Sequence, residues 1–177
     1  MASAGEVAIR RLDATAIEAQ LEALAALLID AVESGASVGF LPPLHPEAAR
    51  DYWRGVARAT GAGSRIVLAA FEQDALQGSV QLDLPGMPNG SHRAEVMKLF
   101  VARAARGRGI ATALMRAIEE QGRLAGRRLL VLDTRQGDSA ERLYTGLGYS
   151  TAGVIPRYAR SASGELDATV ILYRWLE

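Results

Sequence analysis

The sequence predicts a mixed α/β (α+β) fold, a sheet of about seven strands with helices on both faces. Three observations predict it. Short apolar runs of strand length recur along the whole chain, two of them are joined by a tight polar turn, and two are separated by a helix-length amphipathic segment that opens straight after a glycine-containing loop.

The elements follow in order. Val7 to Leu12 is an apolar-rich run of first-strand type, ending at Asp13, a helix-capping residue. In the helix that follows, Thr15 and Glu18 have the spacing of a capping box, and Ile17, Leu21, Leu24 and Leu28 form one apolar stripe. Gly35-Ala36-Ser37-Val38-Gly39-Phe40-Leu41-Pro42-Pro43 then interrupts both helix and strand patterns and reads as a long ordered loop. A second helix starts at Pro46, where proline is tolerated, and runs to about Thr60; its Tyr52 and Trp53 are expected to pack inward. Arg65 to Phe71 and Ala75 to Leu84 form an antiparallel hairpin around Glu72-Gln73-Asp74. Arg93 to Val101 is a strand, Ile110 to Ala125 a helix with Leu114 and Ile118 on one face, and Arg128 to Asp133 a strongly apolar strand. These three make a parallel crossover. A shorter helix from Ser139 to Leu147 and two strands, Tyr149 to Ile155 and Ala168 to Trp175, complete the chain.

With 177 residues and no internal repeat, residues 1–177 read as a single domain. Twenty basic residues balance twenty acidic ones, which argues against a nucleic-acid-coating protein and makes any basic patch local. Cysteine is absent and only His45 and His92 remain as imidazoles, so thiolate chemistry is excluded and a metal site is not expected. Met1 to Glu6 lacks the basic start and apolar stretch of a signal peptide, and no run of about 18 apolar residues occurs. A cytoplasmic location without membrane contact is the expectation.

The local basic patch is Arg103, Arg106 and Arg108 around Gly107 and Gly109, between a strand and a helix. A helix N-terminus of this kind exposes unpaired N–H groups at the positive end of the helix dipole and suits a phosphate or pyrophosphate. The ordinary alternative is a solvated turn. A P-loop is excluded by the lack of Gly-Lys-Ser/Thr, and a dinucleotide fingerprint would follow the first strand of an alternating array rather than a middle one.

Arg106-Gly107-Arg108-Gly109-Ile110-Ala111, preceded by Lys98-Leu99-Phe100-Val101, resembles the Arg/Gln-x-x-Gly-x-Gly/Ala signature of the GNAT N-acetyltransferase superfamily. Ser139 to Tyr149 resembles that family's Ala-x-x-Leu-Tyr-x-x-x-Gly-Phe helix. Within the superfamily the likeness is greatest to acetyltransferases of the tabtoxin-resistance type, which inactivate a small β-lactam amino-acid toxin. It extends through Gly35–Phe40, Pro88–Gly90, Arg93–Val96, Leu132–Thr134, Pro156-x-Tyr158 and Asp167–Thr169.

The resemblance implies a GNAT fold whose mostly antiparallel sheet splays between the fourth and fifth strands, with acetyl-CoA as co-substrate and no metal. Leu99, Phe100 and Val101 would hold the pantetheine, Arg106, Gly107, Arg108, Gly109, Ile110, Ala111 and Thr112 the pyrophosphate, and Ala140, Leu143 and Tyr144 would flank the cofactor. The Asn that often precedes the helix alanine by three residues is replaced by Gly137.

Acetyl transfer needs a proton acceptor, oxyanion donors and an acid for the thiolate. Tyr144 matches the family's acid, whereas the structural alternative is a tyrosine packing its helix on the sheet. The N–H of Leu99 or Phe100 is the oxyanion donor. Asp133, emerging where an apolar strand ends, is the first candidate base, against the alternative of a strand-end cap. Glu95 is the second, against an ion pair with Arg93 or Lys98. Val38, Phe40, Asp133 and Tyr158 are the acceptor-side candidates, and Trp53 is read as core.

The expected activity is direct acetyl transfer to an amine or hydroxyl of a small molecule, with an antibiotic or β-lactam amino-acid toxin as the implied acceptor class. The alternatives are a catalytically silent acyl-CoA sensor or scaffold, or an N-acetyltransferase acting on a protein or peptide amine. No nucleic-acid partner is expected, and the chain is a monomer or homodimer.

Overall fold

A computed structural model describes residues 7–177, so the reading of Met1 to Glu6 lies outside the described residues. Seven strands form one sheet in the order β1-β2-β3-β4-β5-β7-β6. They are β1 (Val7–Leu12), β2 (Arg65–Glu72), β3 (Ala75–Asp83), β4 (Arg93–Val101), β5 (Leu129–Arg135), β6 (Ser150–Arg160) and β7 (Leu166–Trp175). Only β4 and β5 pair in parallel.

Strand alternation sends β2 to two cores. Ile66, Leu68 and Ala70 join Val80, Leu82, Ala94, Val96, Leu130 and Leu132 under helix α4 (Ile110–Leu124), which contributes Ile110, Leu114, Met115 and Ile118. Val67, Ala69 and Phe71 face the other way, beneath α1 (Ala14–Ala19), α2 (Leu21–Glu33) and α3 (Pro46–Gly61). The expected helices on both faces are therefore present. Trp53, fully buried, packs edge-on to Phe100 at 6.4 Å and to Tyr52 at 5.5 Å between ring centroids.

The first helix differs from expectation. It is two helices separated at Gln20, and its start is capped by Asp13, whose Oδ1 accepts from the Ala16 N–H at 2.8 Å. Thr15 lies inside the first turn, so the capping box does not form. His45 caps α3 through its Nδ1, ahead of Pro46. Strand β6 runs on to Arg160, past a register shift between Ile155 and Ala159 with Arg157 at φ 54°. Helix α5 spans Ser139–Gly146.

Two irregularities at β4 position the site. β4 meets β5 only at Arg93↔Leu129, Ala94↔Leu130 and Glu95↔Val131, and beyond Glu95 the two strands part. On its other edge β4 carries a bulge, because Ser79 pairs with Phe100 and Gln81 with Met97, leaving Lys98 and Leu99 opposite Val80 alone. Lys98 takes the extra turn with φ 54°, a left-handed value uncommon outside glycine. No described helix is long and apolar enough to cross a membrane.

Candidate active site

The parting of β4 and β5 opens a cavity of about 760 Å³. Its walls include Glu95 to Val101 from β4, Asp133 to Arg135 from β5, the 34–39 loop after α2, Arg106 to Thr112 except Arg108, Tyr144 of α5 and Tyr158 of β6. Thus the glycine loop, the helix tyrosine and both candidate carboxylates, far apart in sequence, line one cleft.

At the loop, Gly109 caps α4 with φ 79°, and Gly107 has φ 76°. Nothing lies within 4 Å of where a Cβ on either would sit, so glycine is favoured by the left-handed backbone rather than by crowding. Helical bonding begins with the Ala113 N–H donating to the Gly109 carbonyl. The N–H groups of Gly107, Arg108, Gly109, Ile110, Ala111 and Thr112 consequently donate to no acceptor among the described residues. Six adjacent free donors at the positive end of a helix of 15 residues form an anion cradle.

The arginines brace this cradle. Arg108, expected at the pyrophosphate, turns its side chain to Glu72 in an ion pair and is absent from the cavity wall. Arg103 pairs with Asp30, and Arg106 donates through Nε to the Val101 carbonyl at 3.2 Å and through Nη2 to Ser34 Oγ at 2.6 Å. These contacts fasten the loop to α2 and β4.

At the opposite end, Glu95 and Asp133 emerge from the face of the sheet opposite to Val96 and Leu132, which point into the α4 core. Burial pushes the Glu95 carboxyl above the usual carboxylate range, the Asp133 and Asp83 charges add to this, and Arg93 and Lys98 oppose it. Neither cation reaches Glu95 within 4.0 Å, so the ion pair offered as its structural alternative is not formed. Asp133 is exposed, and its Oδ2 lies 2.9 Å from Thr169 Oγ1, which is also 2.9 Å from the Thr134 carbonyl. Thr169 thus orients the carboxylate while leaving it open to the cleft.

Tyr144 is 6% exposed and lines the cavity, with its ring 5.9 Å from that of Tyr149. Burial, reinforced by the Asp133 charge, raises its phenol well above the ordinary value. It is therefore neutral and able to donate throughout the neutral and moderately alkaline range. Ala140 and Leu143, one turn or less away, share the wall.

The acceptor-side candidates divide. Val38 and Tyr158 line the main cavity, whereas Phe40 lines a smaller adjoining one of about 250 Å³ and packs edge-on to Tyr52 at 5.3 Å. The Phe40 ring is thereby held against α3. Three site residues escaped the sequence reading. Arg135 spans the cleft, donating to the Gly35 carbonyl at 2.7 Å while paired with Asp138 and Asp167. Thr169 orients Asp133, and Lys98 projects into the cavity. Lys98 did carry a signal: the polar–apolar alternation of β4 breaks at Val96-Met97, which puts Lys98 on the phase of Ala94 and Val96, the mark of a bulge. Among the described residues no cluster of three or more His, Asp or Glu is placed to hold a metal.

Comparison with known proteins agrees with this geometry. Residues 22–149 match the family model described as "Acetyltransferase (GNAT) family". The chain is 34% identical over 133 residues to an uncharacterized N-acetyltransferase in the hisH-hisA intergenic region of Azospirillum brasilense, covering 74% of this chain and 77% of that one. Among solved structures, an N-acetyltransferase from Staphylococcus aureus Mu50 superposes with a TM-score of 0.80 at 18% identity, over 97% of this chain and 99% of that one. The yncA protein of Salmonella typhimurium, solved with its cofactor acetyl-CoA, gives a TM-score of 0.80 at 17% identity, over 97% and 95% of the two chains. With its sheet parting at β4 and β5, its free-amide cradle and its family match in register, the chain belongs to the GNAT family and is an acetyl-CoA-dependent acetyltransferase.

Proposed function

We propose that this acetyltransferase acts on the amine or hydroxyl of a small-molecule acceptor, of the class of antibiotics or β-lactam amino-acid toxins. The observation that carries the reading is the continuity of one cleft from the free amides of Gly107–Thr112 to the carboxylates of Glu95 and Asp133. The likeness of the acceptor-side segments Gly35–Phe40 and Asp167–Thr169 to tabtoxin-resistance acetyltransferases supports the acceptor class. We read residues 1–177 as one catalytic domain.

The residues fit acetyl-CoA. The amides from Gly107 to Thr112 would hold its pyrophosphate, the free edge of β4 at Leu99 to Val101 its pantetheine, and Ala140 and Leu143 would pack beside it. When bound, acetyl-CoA supplies an activated thioester carbonyl. The carboxylate of Asp133, or of Glu95, accepts the acceptor's proton as the new C–N or C–O bond forms. A backbone N–H of Leu99 or Phe100 stabilises charge on the carbonyl oxygen. Tyr144 gives its proton to the departing sulfur as the C–S bond breaks, and regains one from the carboxylate through solvent.

Thiol release from acetyl-CoA, followed across amines, amino acids, peptides and β-lactam toxins with mass spectrometry of the products, tests the reading. Acetylated small molecules are expected. Acetylation confined to protein or peptide amines would overturn it.

A further inference from the structure

The cavity contains one charged group that the transfer chemistry above does not use. Lys98 is half-buried in the acceptor half of the cleft, and among the described residues its ammonium makes no hydrogen bond and no ion pair within 4.0 Å. Its Nζ lies 3.2 Å from the point a Cβ on Gly39 would take, which directs it toward the 35–39 loop. Gly39 itself has φ 84°, a left-handed value at which a side chain would be strained. The strand reaches this arrangement through a left-handed residue in a bulge, a conformation that costs about 1 kcal/mol for a residue with a Cβ.

A half-buried cation left unpaired is costly, and its own surroundings relieve it only in part. Burial lowers the Lys98 ammonium below its usual range, Arg65 adds repulsion, and Asp133 and Glu95 act oppositely without touching it. One cavity wall therefore carries a cation and two carboxylates that sense one another electrostatically without forming an ion pair within 4.0 Å. A ligand bearing both an anion and an amine matches this pattern: its amine lies toward Asp133 and Glu95, where proton removal occurs, and its anion toward Lys98.

We infer that Lys98 is a specificity-determining residue that binds the acceptor's carboxylate, making the preferred acceptor an amine that carries a carboxylate nearby, as in an α-amino acid. This rests on the reading of the cleft as a small-molecule acceptor site and extends it to the chemistry of the acceptor. Lys98 takes no part in bond making. Its ammonium holds the acceptor so that the amine faces the carboxylates.

The test uses the full chain with acetyl-CoA and a panel of free amino acids, each paired with its α-amide. The wild type is expected to favour the free acid, and Lys98→Met and Lys98→Gln to lower the acid-to-amide ratio of kcat/KM about 10-fold or more, mostly through KM. Lys98→Arg should restore part of the preference. The ratio is internal to each preparation and so does not depend on how much of a variant folds. An equal loss with acid and amide would overturn the inference and leave Lys98 a structural or field-setting residue. A wild type that treats acid and amide alike would overturn it while leaving small-molecule transfer intact. A wild type that acetylates neither, yet acetylates a peptide, would instead remove the reading beneath it.

Discussion

Replacing Tyr144 with phenylalanine removes one oxygen from a side chain that is 6% exposed, and the ring that holds α5 against Tyr149 is kept. The phenol donates to no acceptor among the described residues, so folding loses no internal hydrogen bond, and the stability change should stay within about 1 kcal/mol. If the phenol is the acid for the leaving sulfur, its loss falls on turnover. General acids contribute roughly 10²–10⁴-fold, and a thiolate already leaves well, so the low end is expected: a fall in kcat of about 10²-fold, or about 2.7 kcal/mol of barrier. KM for acetyl-CoA should move less than about 3-fold, because the binding contacts proposed here are backbone amides and apolar wall. Steady-state thiol release at saturating acceptor, with a melting curve of the same preparation, separates the effects. A variant with unchanged melting and unchanged kcat would refute the assignment, and a variant that only loses acetyl-CoA affinity would make Tyr144 a packing residue.

Three further expectations concern the carboxylates, the cradle and the core. Because Glu95 titrates above the usual carboxylate range, activity that depends on its ionised form should rise with pH through that elevated value, and Asp133→Asn should shift the limb downward by removing a charge that raises it. If Glu95→Gln keeps the limb and only Asp133→Asn abolishes turnover, Asp133 is the base. The same shift has a stability sign: the folded state binds the Glu95 proton more tightly than the unfolded one, so this group's contribution is favourable at low pH and declines as pH rises through the folded value. Glu95→Gln should then melt no lower than wild type at pH 7.5, a difference that shrinks near pH 4. A variant less stable at pH 7.5 than at pH 4, relative to wild type, would contradict this. Gly109→Ala forces a side chain into φ 79°, costs about 1 kcal/mol, and should weaken acetyl-CoA binding in calorimetry about 10-fold as the amides rotate; unchanged affinity would mean that they are not the ligands. Trp53→Ala should cost about 3–5 kcal/mol in denaturant unfolding, and a loss under 1 kcal/mol would deny it the core role.

Features governed by local chemistry were legible in the sequence. Proline at the start of α3, the apolar stripe of α4 and the Gln73 turn between β2 and β3 depend on neighbours a few residues away. The split at Gln20 was not, because Ile17, Leu24 and Leu28 keep one buried face across the break and so preserve the helical pattern. The glycine loop could be read as an anion site, but the sense of its arginines could not: their partners Asp30, Ser34 and Glu72 lie on other elements, and charge composition cannot distinguish a ligand from a brace. Asp133 was found from its place at the end of an apolar run, and Glu95 from the family resemblance. Their shared face depends on where β4 leaves β5, and the bulge at Lys98 on the register of β4 against β3, both properties of the paired sheet.

The central claim is that acetyl-CoA lies on the free amides between Gly107 and Thr112, at the mouth of the cleft leading to Tyr144. A ¹⁵N-resolved titration of the full chain with acetyl-CoA tests it directly. The N–H signals of Gly107 to Thr112 should show the largest shifts, accompanied by those of Leu99 to Val101 and saturating with a single affinity. Saturation with those amides unmoved, or with the largest shifts elsewhere on the molecule, would contradict it.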